Sequence, residues 1–272
     1  MGYPVTFPAQ TNTAPLTVVQ ITDCHLGREL GDDLLGMDTD NSLEAVLATM
    51  VEECPQIDLL VVSGDIAAHG DAESYRRLHA RLDGVAQQVV WLPGNHDDAN
   101  LMRSVVGDQM MPSAVDLGAW RLGFLNSAVK DEVGGFLADD QLAALAGIAE
   151  SGRPSLVFLH HHLRPLGCAW LDEQRVKNAD KAFATIADMP QIKAFVSGHV
   201  HQQSEALFEG VGLLTTPSTC IQFAPCSDTF ALDDCNPGYR LFYLAQNGQF
   251  QTRVSRVKGV TFAVDNLASG YE

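Results

Sequence analysis

Positive charge is scarce in this chain. Its 272 residues include 17 Lys plus Arg against 34 Asp plus Glu, a formal charge of −17. Proteins that grip a long polyanion carry a basic stripe, so DNA or RNA is disfavoured as a partner. A small anionic substrate stays compatible, provided bound cations reverse the field locally. Zinc-type Cys-x-x-Cys spacing is also missing among Cys24, Cys54, Cys168, Cys220, Cys226 and Cys235. Cys24 and Cys54 lie beside or within apolar segments, the usual setting of reduced thiols, which points to a cytoplasmic protein. No apolar run has membrane-spanning length, and no charged-then-hydrophobic leader opens the chain, so no membrane association is expected. Met1-Gly2 with Thr6 fits the N-myristoylation pattern only loosely. Repeats, low-complexity segments and linkers are missing too, so 1–272 is expected to form one domain with a flexible start over about 1–14.

What is present is a globular balance, 46% hydrophobic and 19% charged, enough for a substantial core. Residues 16–22 are largely apolar and β-branched, which predicts a strand buried on both faces. Residues 57–63 and Val89–Leu92 predict two more. Between them, Asp40 or Asn41 can cap a helix with Leu43, Val46, Leu47, Met50 and Val51 on one face. Asp71 can cap a second, with Tyr75, Leu78 and Leu82 inward. Strands alternating with helices imply parallel pairing in an α/β fold. Further strands are expected at 120–126, Ser155–Leu159 and Ile192–Ser197, and helices at Asp139–Ala149 and 179–188. Residues 164–178 lack a clean period and read as a loop or cap lying across the site. Over about 205–260, short strands at 213–216, 229–232, 239–244 and 250–257 predict a second, mostly antiparallel sheet. Asn247-Gly248 marks a hairpin between the last two.

Five of these segments run into metal-ligating letters. They are Asp23-Cys24-His25, Gly64-Asp65, Gly94-Asn95-His96-Asp97, His160 and Gly198-His199-Val200-His201. Ligands of α/β sheets bind beyond the carboxyl ends of the strands, where all five fall. A single His or Asp at a strand end is usually only hydrogen-bonded; five together read as a metal site. On an extended backbone, Asp23 with His25 and His199 with His201 would each point to one face. Asp65 can bridge two cations, Asn95 offers a neutral carbonyl oxygen and His160 an imidazole. Nitrogen and oxygen ligands without thiolate suit manganese, iron or zinc. Sharing one carboxylate, these residues suffice for two metals about 3.5–4 Å apart, whose bound hydroxide can attack phosphorus. His96, beside Asn95, can steady a phosphoryl oxygen or protonate a leaving group.

In order, these motifs resemble those of the calcineurin-like metallophosphoesterases. Within that superfamily the sequence is similar to bacterial 3′,5′-cyclic-AMP phosphodiesterases over nearly its whole length. The likeness includes Gln20-Ile21-Thr22-Asp23, Trp91-Leu92-Pro93-Gly94-Asn95-His96-Asp97 and Leu159-His160-His161-His162. It continues through Gly167-Cys168-Ala169-Trp170-Leu171-Asp172, Thr216-Pro217-Ser218-Thr219-Cys220 with Gln222-Phe223, and Pro237-Gly238-Tyr239-Arg240. The resemblance implies a four-layer sandwich, two mixed β-sheets flanked by α-helices. It implies one metal on Asp23, His25, Asp65 and His201 and another on Asp65, Asn95, His160 and His199, with iron or manganese usual. It also implies that His25, Asp65, Asn95, His96 and His201 face the nucleotide phosphate.

The reaction implied is hydrolysis of 3′,5′-cyclic AMP to 5′-AMP by a metal-bound hydroxide, with His96 and Asp65 as catalytic side chains. Another small phosphodiester or a phosphomonoester is the alternative substrate. A non-catalytic nucleotide- or metal-binding protein is disfavoured by the full ligand set. Leu163 and Arg164 follow the His triplet where relatives often carry proline. Of the three adjacent histidines, His160 lies nearest the strand end and matches the family ligand. His161 and His162 read as supporting or exposed side chains, His69 as structural or solvent-facing. Trp170 is a candidate to stack on adenine, and Arg164 and Asn178 are candidate substrate contacts.

Overall fold

Runs of apolar residues buried on both faces set the architecture of the chain, whose computed structural model describes residues 5–6 and 14–270. The expected flexible start falls almost wholly outside these residues; within it, β1 (Val5–Thr6) is described and pairs with Val115 and Asp116. Next come β2 (Leu16–Ile21), β3 (Asp33–Leu34), β4 (Met37–Asp38), α1 (Thr39–Glu53), β5 (Leu59–Ser63), α2 (Ala72–Arg81), β6 (Val89–Leu92) and α3 (Ala99–Val106). The middle holds β7 (Ala114–Leu117), β8 (Trp120–Leu125), α4 (Asp139–Ala149), β9 (Ser155–Leu159), α5 (Ala169–Asp172), α6 (Ala179–Ile186) and β10 (Ile192–Ser197). Last are β11 (Ser204–Phe208), β12 (Val211–Thr215), β13 (Gln222–Phe223), β14 (Leu232–Asp233), β15 (Gly238–Leu244) and β16 (Phe250–Arg256).

Two large mixed sheets result, ordered β16-β15-β2-β5-β6 and β1-β7-β8-β9-β10-β12-β11, beside the two-stranded ribbons β3-β4 and β13-β14. Their facing sides share one core, where Val18, Val61 and Phe242 meet Leu122, Phe158 and Val196. The outer face of the first sheet packs on α1, α2 and α3 through Val19, Leu60, Leu43, Tyr75 and Met102. The outer face of the second packs on α4 and α6 through Val157, Phe195, Leu145 and Phe183. Helix, sheet, sheet, helix: the four layers expected are present.

Some local expectations need correction. The cap of α1 is Asp38, whose side chain accepts from the Asn41 N–H, and Val51 is 47% exposed rather than inward. Asp40 is instead buried against Arg77, 2.9 Å away, and Arg81. Asp71 does cap α2, accepting from the Glu73 and Ser74 N–H groups at 3.0 Å. Apart from the two-stranded ribbon of β13 and β14, the last seventy residues do not form a sheet of their own. β15 pairs antiparallel with the open edge of β2, carrying β16 with it, while β12 pairs parallel with β10. Two exposed sheet edges were available, and each recruited part of the tail.

Arg240 on β15 ties the sheets together from a fully buried position. Its Nη1 donates to Glu205 Oε1 at 2.8 Å and its Nη2 to the Thr215 carbonyl at 2.9 Å, both on the opposite sheet. Arg240→Ala leaves the Thr215 carbonyl without this donor and opens a cavity, while half-exposed Glu205 can rehydrate, so a stability loss of about 2–4 kcal/mol is expected. Urea unfolding checks this; an unchanged midpoint would show that the strut carries no weight. Among the described residues, no helix is long and apolar enough to cross a membrane.

Candidate metal centre

Parallel strands deliver all their carboxyl ends to one edge. β2, β5 and β6 run parallel in one sheet, and β9 and β10 in the other. The residues just past them, Asp23, Asp65, Asn95, His160 and His199, therefore gather where the two sheets' edges meet. The backbone there is not extended, as the Asp-x-His and His-x-His spacing had suggested. Asp23, His25, Asp65, His199 and His201 all have φ between 45° and 67°. Left-handed backbone at non-glycine residues costs on the order of 1–3 kcal/mol each and persists only where surroundings enforce it. The consequence is a split: His201 gathers with Asp23 and His25, while His199 gathers with His160 and His161.

Close approach explains two motif glycines. A Cβ on Gly94 would sit 2.1 Å from Asp65 Oδ1 and 2.5 Å from the Asp65 nitrogen. At Gly64, with φ +98°, it would sit 2.4 Å from His160 Nδ1.

Backbone carbonyls fix several ring tautomers. His160 Nδ1–H donates to the Ser63 carbonyl and His201 Nδ1–H to that of Ile221, each at 2.9 Å. In the neutral rings, both Nε2 atoms then present lone pairs. Yet His160 Nε2 faces Asp65 Oδ2 at 3.1 Å, and His201 Nε2 lies 3.2 Å from His25 Nε2 and 3.4 Å from Asp23 Oδ1. Electron-rich atoms this close require a positive charge between them, a proton or a cation. Asn95 Oδ1 is shut off from solvent and accepts no hydrogen bond among the described residues. Lone pairs converging in a buried N/O donor set fit divalent or trivalent cations. Six of the seven expected ligands approach within these groups, and Asp65 is common to two of them.

The electrostatics agree. Burial opposes charge on His160, but the Asp65 and Asp23 carboxylates carry its pKa up to about 9. Burial likewise opposes ionisation of Asp65, but His160, His96 and His25 hold its carboxyl well below the usual range. Burial, with neighbouring imidazoles, pushes His25 and His199 well below the ordinary histidine value. Asp97 supports the loop: it accepts from the Gly94 N–H at 2.9 Å, the Ala67 N–H at 3.1 Å and Tyr75 Oη at 3.1 Å. Burial and the Asp65 charge raise its pKa to about 6. His96 donates its backbone N–H to Asp65 Oδ1 and its Nδ1–H to the Ala68 carbonyl, both at 2.9 Å.

His161 lies within ligand range of His160 and His199, but both its nitrogens are engaged. Nε2–H donates to the Val133 carbonyl at 3.0 Å, and Nδ1 accepts from Ser127 Oγ at 2.9 Å. Neither His161 nor His162 is exposed; burial lowers the His162 pKa to about 4. His69 is exposed. The candidate substrate contacts each have packing or hydrogen-bond partners within the fold. Trp170 packs edge-on against Phe223 and Phe230, with ring centroids 5.0 and 5.3 Å apart. Arg164 lies 3.7 Å above the Phe208 ring, and Asn178 bonds both backbone groups of Leu137. Sequence reasoning missed Gln174, whose Oε1 accepts from His199 Nε2–H at 2.9 Å. It also missed the stacking of Phe223 on His201, at 4.2 Å and 15°.

The fold and the ligand clusters define a metal-dependent phosphoesterase: the chain belongs to the calcineurin-like phosphoesterase family, whose profile matches residues 16–203. Membership implies a two-metal site, for which the His and Asp clusters supply candidate ligands. The chain is 40% identical to a 3′,5′-cyclic adenosine monophosphate phosphodiesterase, CpdA, of Pseudomonas aeruginosa over 261 residues, 95% of this chain and 96% of that one. Identity to the Escherichia coli K12 protein of the same name is 36%, covering 95% and 96%. A dimetal phosphatase from Danio rerio shares the fold at TM-score 0.57 and 15% identity, covering 90% of this chain and all of that one. A purple acid phosphatase of yellow lupin does so at TM-score 0.58 and 14% identity, covering 96% and 56%.

Proposed function

We propose that this chain hydrolyses 3′,5′-cyclic AMP to 5′-AMP at a two-metal centre. One observation carries the chemistry: Asp65 Oδ2 and His160 Nε2 face each other at 3.1 Å, buried, a donor pair that one cation can share. The substrate is supported by near full-length likeness to the cyclic AMP phosphodiesterases. In this reading Asp23, His25, Asp65 and His201 hold one ion, and Asp65, Asn95, His160 and His199 hold the other, with iron or manganese as the pair. Bound there, such cations supply an acidified water and withdraw charge from the phosphoryl oxygens.

The chain's own groups then align the substrate. His25, Asn95, His96 and His201 surround the phosphate, and Asp65 keeps His96 in place through its backbone N–H. The His96 ring donates its Nδ1–H to the Ala68 carbonyl, and as the imidazolium it would pass its Nε2 proton to the ribose 3′ oxygen as the bond to phosphorus breaks. A net charge of −17 repels long nucleic acids and suits a small substrate drawn in by cations. Six free thiols, two of them exposed, favour a reducing cytoplasm.

The test is turnover of cyclic AMP by manganese-loaded protein, with the product identified by chromatography. 5′-AMP is expected. Activity confined to a generic aryl phosphodiester would retain the centre and discard the substrate.

A further inference from the structure

His199 and His201 are held by different kinds of partner. His201 donates from Nδ1 to a backbone carbonyl, whereas His199 donates from Nε2 to a side-chain amide, Gln174 Oε1. The choice of nitrogen matters. With its proton on Nε2, His199 keeps its lone pair on Nδ1, the atom nearer the backbone. A ring of the opposite tautomer would place a proton where a cation has to bind.

Gln174 is itself well anchored. It follows α5, its N–H donates to the Leu171 carbonyl at 2.9 Å, and its own carbonyl accepts from Gly135 at 3.1 Å. Lys177 N–H returns to the Gly135 carbonyl at 2.8 Å, so the segment past α5 is zipped to the segment around Gly135. That second segment carries the Val133 carbonyl that accepts from His161. Gly135 also lies so near His161 that a Cβ there would approach its ring to 2.7 Å. Two loops, joined backbone to backbone, thus grip the two imidazoles flanking His160. Among these contacts, only Gln174 grips a proposed metal ligand through a side chain that mutation can remove.

We propose that Gln174 is a positioning residue for the second metal: it fixes the Nε2–H tautomer of His199 and so presents Nδ1 to the cation. The inference rests on the two-metal reading. Partners of metal-bound histidines of this kind typically change metal affinity 10- to 100-fold when removed. Gln174 reaches the centre through His199, a ligand of the second ion, so the effect should fall on one equivalent.

The experiment is metal titration of wild type, Gln174→Leu and Gln174→Glu, with imidazole 15N spectra of the metal-free wild type. Wild type should bind two manganese ions, and His199 should show a protonated Nε2. Gln174→Leu should keep one equivalent and weaken the other by about 10- to 100-fold. Gln174→Glu still offers an acceptor and should recover the second equivalent. Tight binding of two ions by the Leu variant overturns the proposal, as does an Nδ1–H tautomer in wild type. Equal impairment of Leu and Glu variants overturns it too, since loop packing or a reversed amide would then be responsible. Wild type binding no metal would instead defeat the two-metal reading itself.

Discussion

Asp65→Ala should lower cyclic AMP turnover by about 1,000-fold or more, about 4 kcal/mol of transition-state stabilisation. No other side chain here is asked to do so much. Its Oδ2 lies 3.1 Å from His160 Nε2 and 3.8 Å from His25 Nε2, one imidazole from each proposed ion. Its Oδ1 accepts the His96 N–H at 2.9 Å, which links the proposed proton carrier to the same carboxylate. Removing it should leave at most one metal per chain and release His96. Asp65→Asn separates the two effects: an amide oxygen can still accept from His96, but the negative charge between the ions is gone. If charge dominates, the Asn variant will be nearly as impaired as the Ala variant. Steady-state kinetics with metal analysis decides it; two metals and near-normal turnover in Asp65→Ala would refute the assignment.

The site was legible because each proposed ligand follows a strand, and parallel strands send their ends to one edge. Strand bounds such as Ser155–Leu159 and Ile192–Ser197 matched because uninterrupted apolar runs leave little freedom. Four kinds of feature were not legible. α3 and β11 were missed: α3 is a short helix, and β11 is an edge strand whose exposed residues show no alternation. The placement of β15 and β16 depends on which sheet has an open edge, a tertiary matter invisible in their own letters. Backbone strain was hidden as well. Spacing in Asp23-x-His25 suggested an extended chain, but the left-handed turns at both residues come from bonds made far away. His199 N–H, for example, donates to Asp23 Oδ1 and Oδ2 at 3.0 Å across 176 positions. Gln174 gave no local signal, because a glutamine after a short helix looks like any solvated loop residue.

Stripped of its metals, the protein should lose stability as pH rises from about 6.5 to 9. In the metal-free site a proton on His160 answers the charge of Asp65. Burial works against that proton, but the carboxylates raise its pKa to about 9, above the roughly 6.5 of an unfolded histidine. A folded value above the unfolded one means the stabilisation is complete below about 6.5 and is lost through 9. Burial holds His25, His161, His162 and His199 neutral in the fold, so as their unfolded counterparts shed protons just above pH 6.5 they offset a small part of the loss, alike with and without metal. Bound cations replace that proton, so the metal-loaded protein should show no such loss up to about pH 8.5. Above that both forms should decline, because burial raises the Cys24 thiol to about 12 and that of Cys220 further still, while unfolded thiols ionise. The gap between the two forms therefore isolates His160, and it should widen with pH by a few kcal/mol as the competing proton leaves and metal affinity rises. Urea unfolding at pH 6.5, 8 and 9, with and without chelator, measures it. A gap that stays constant or narrows would mean that no proton holds the metal-free pair together.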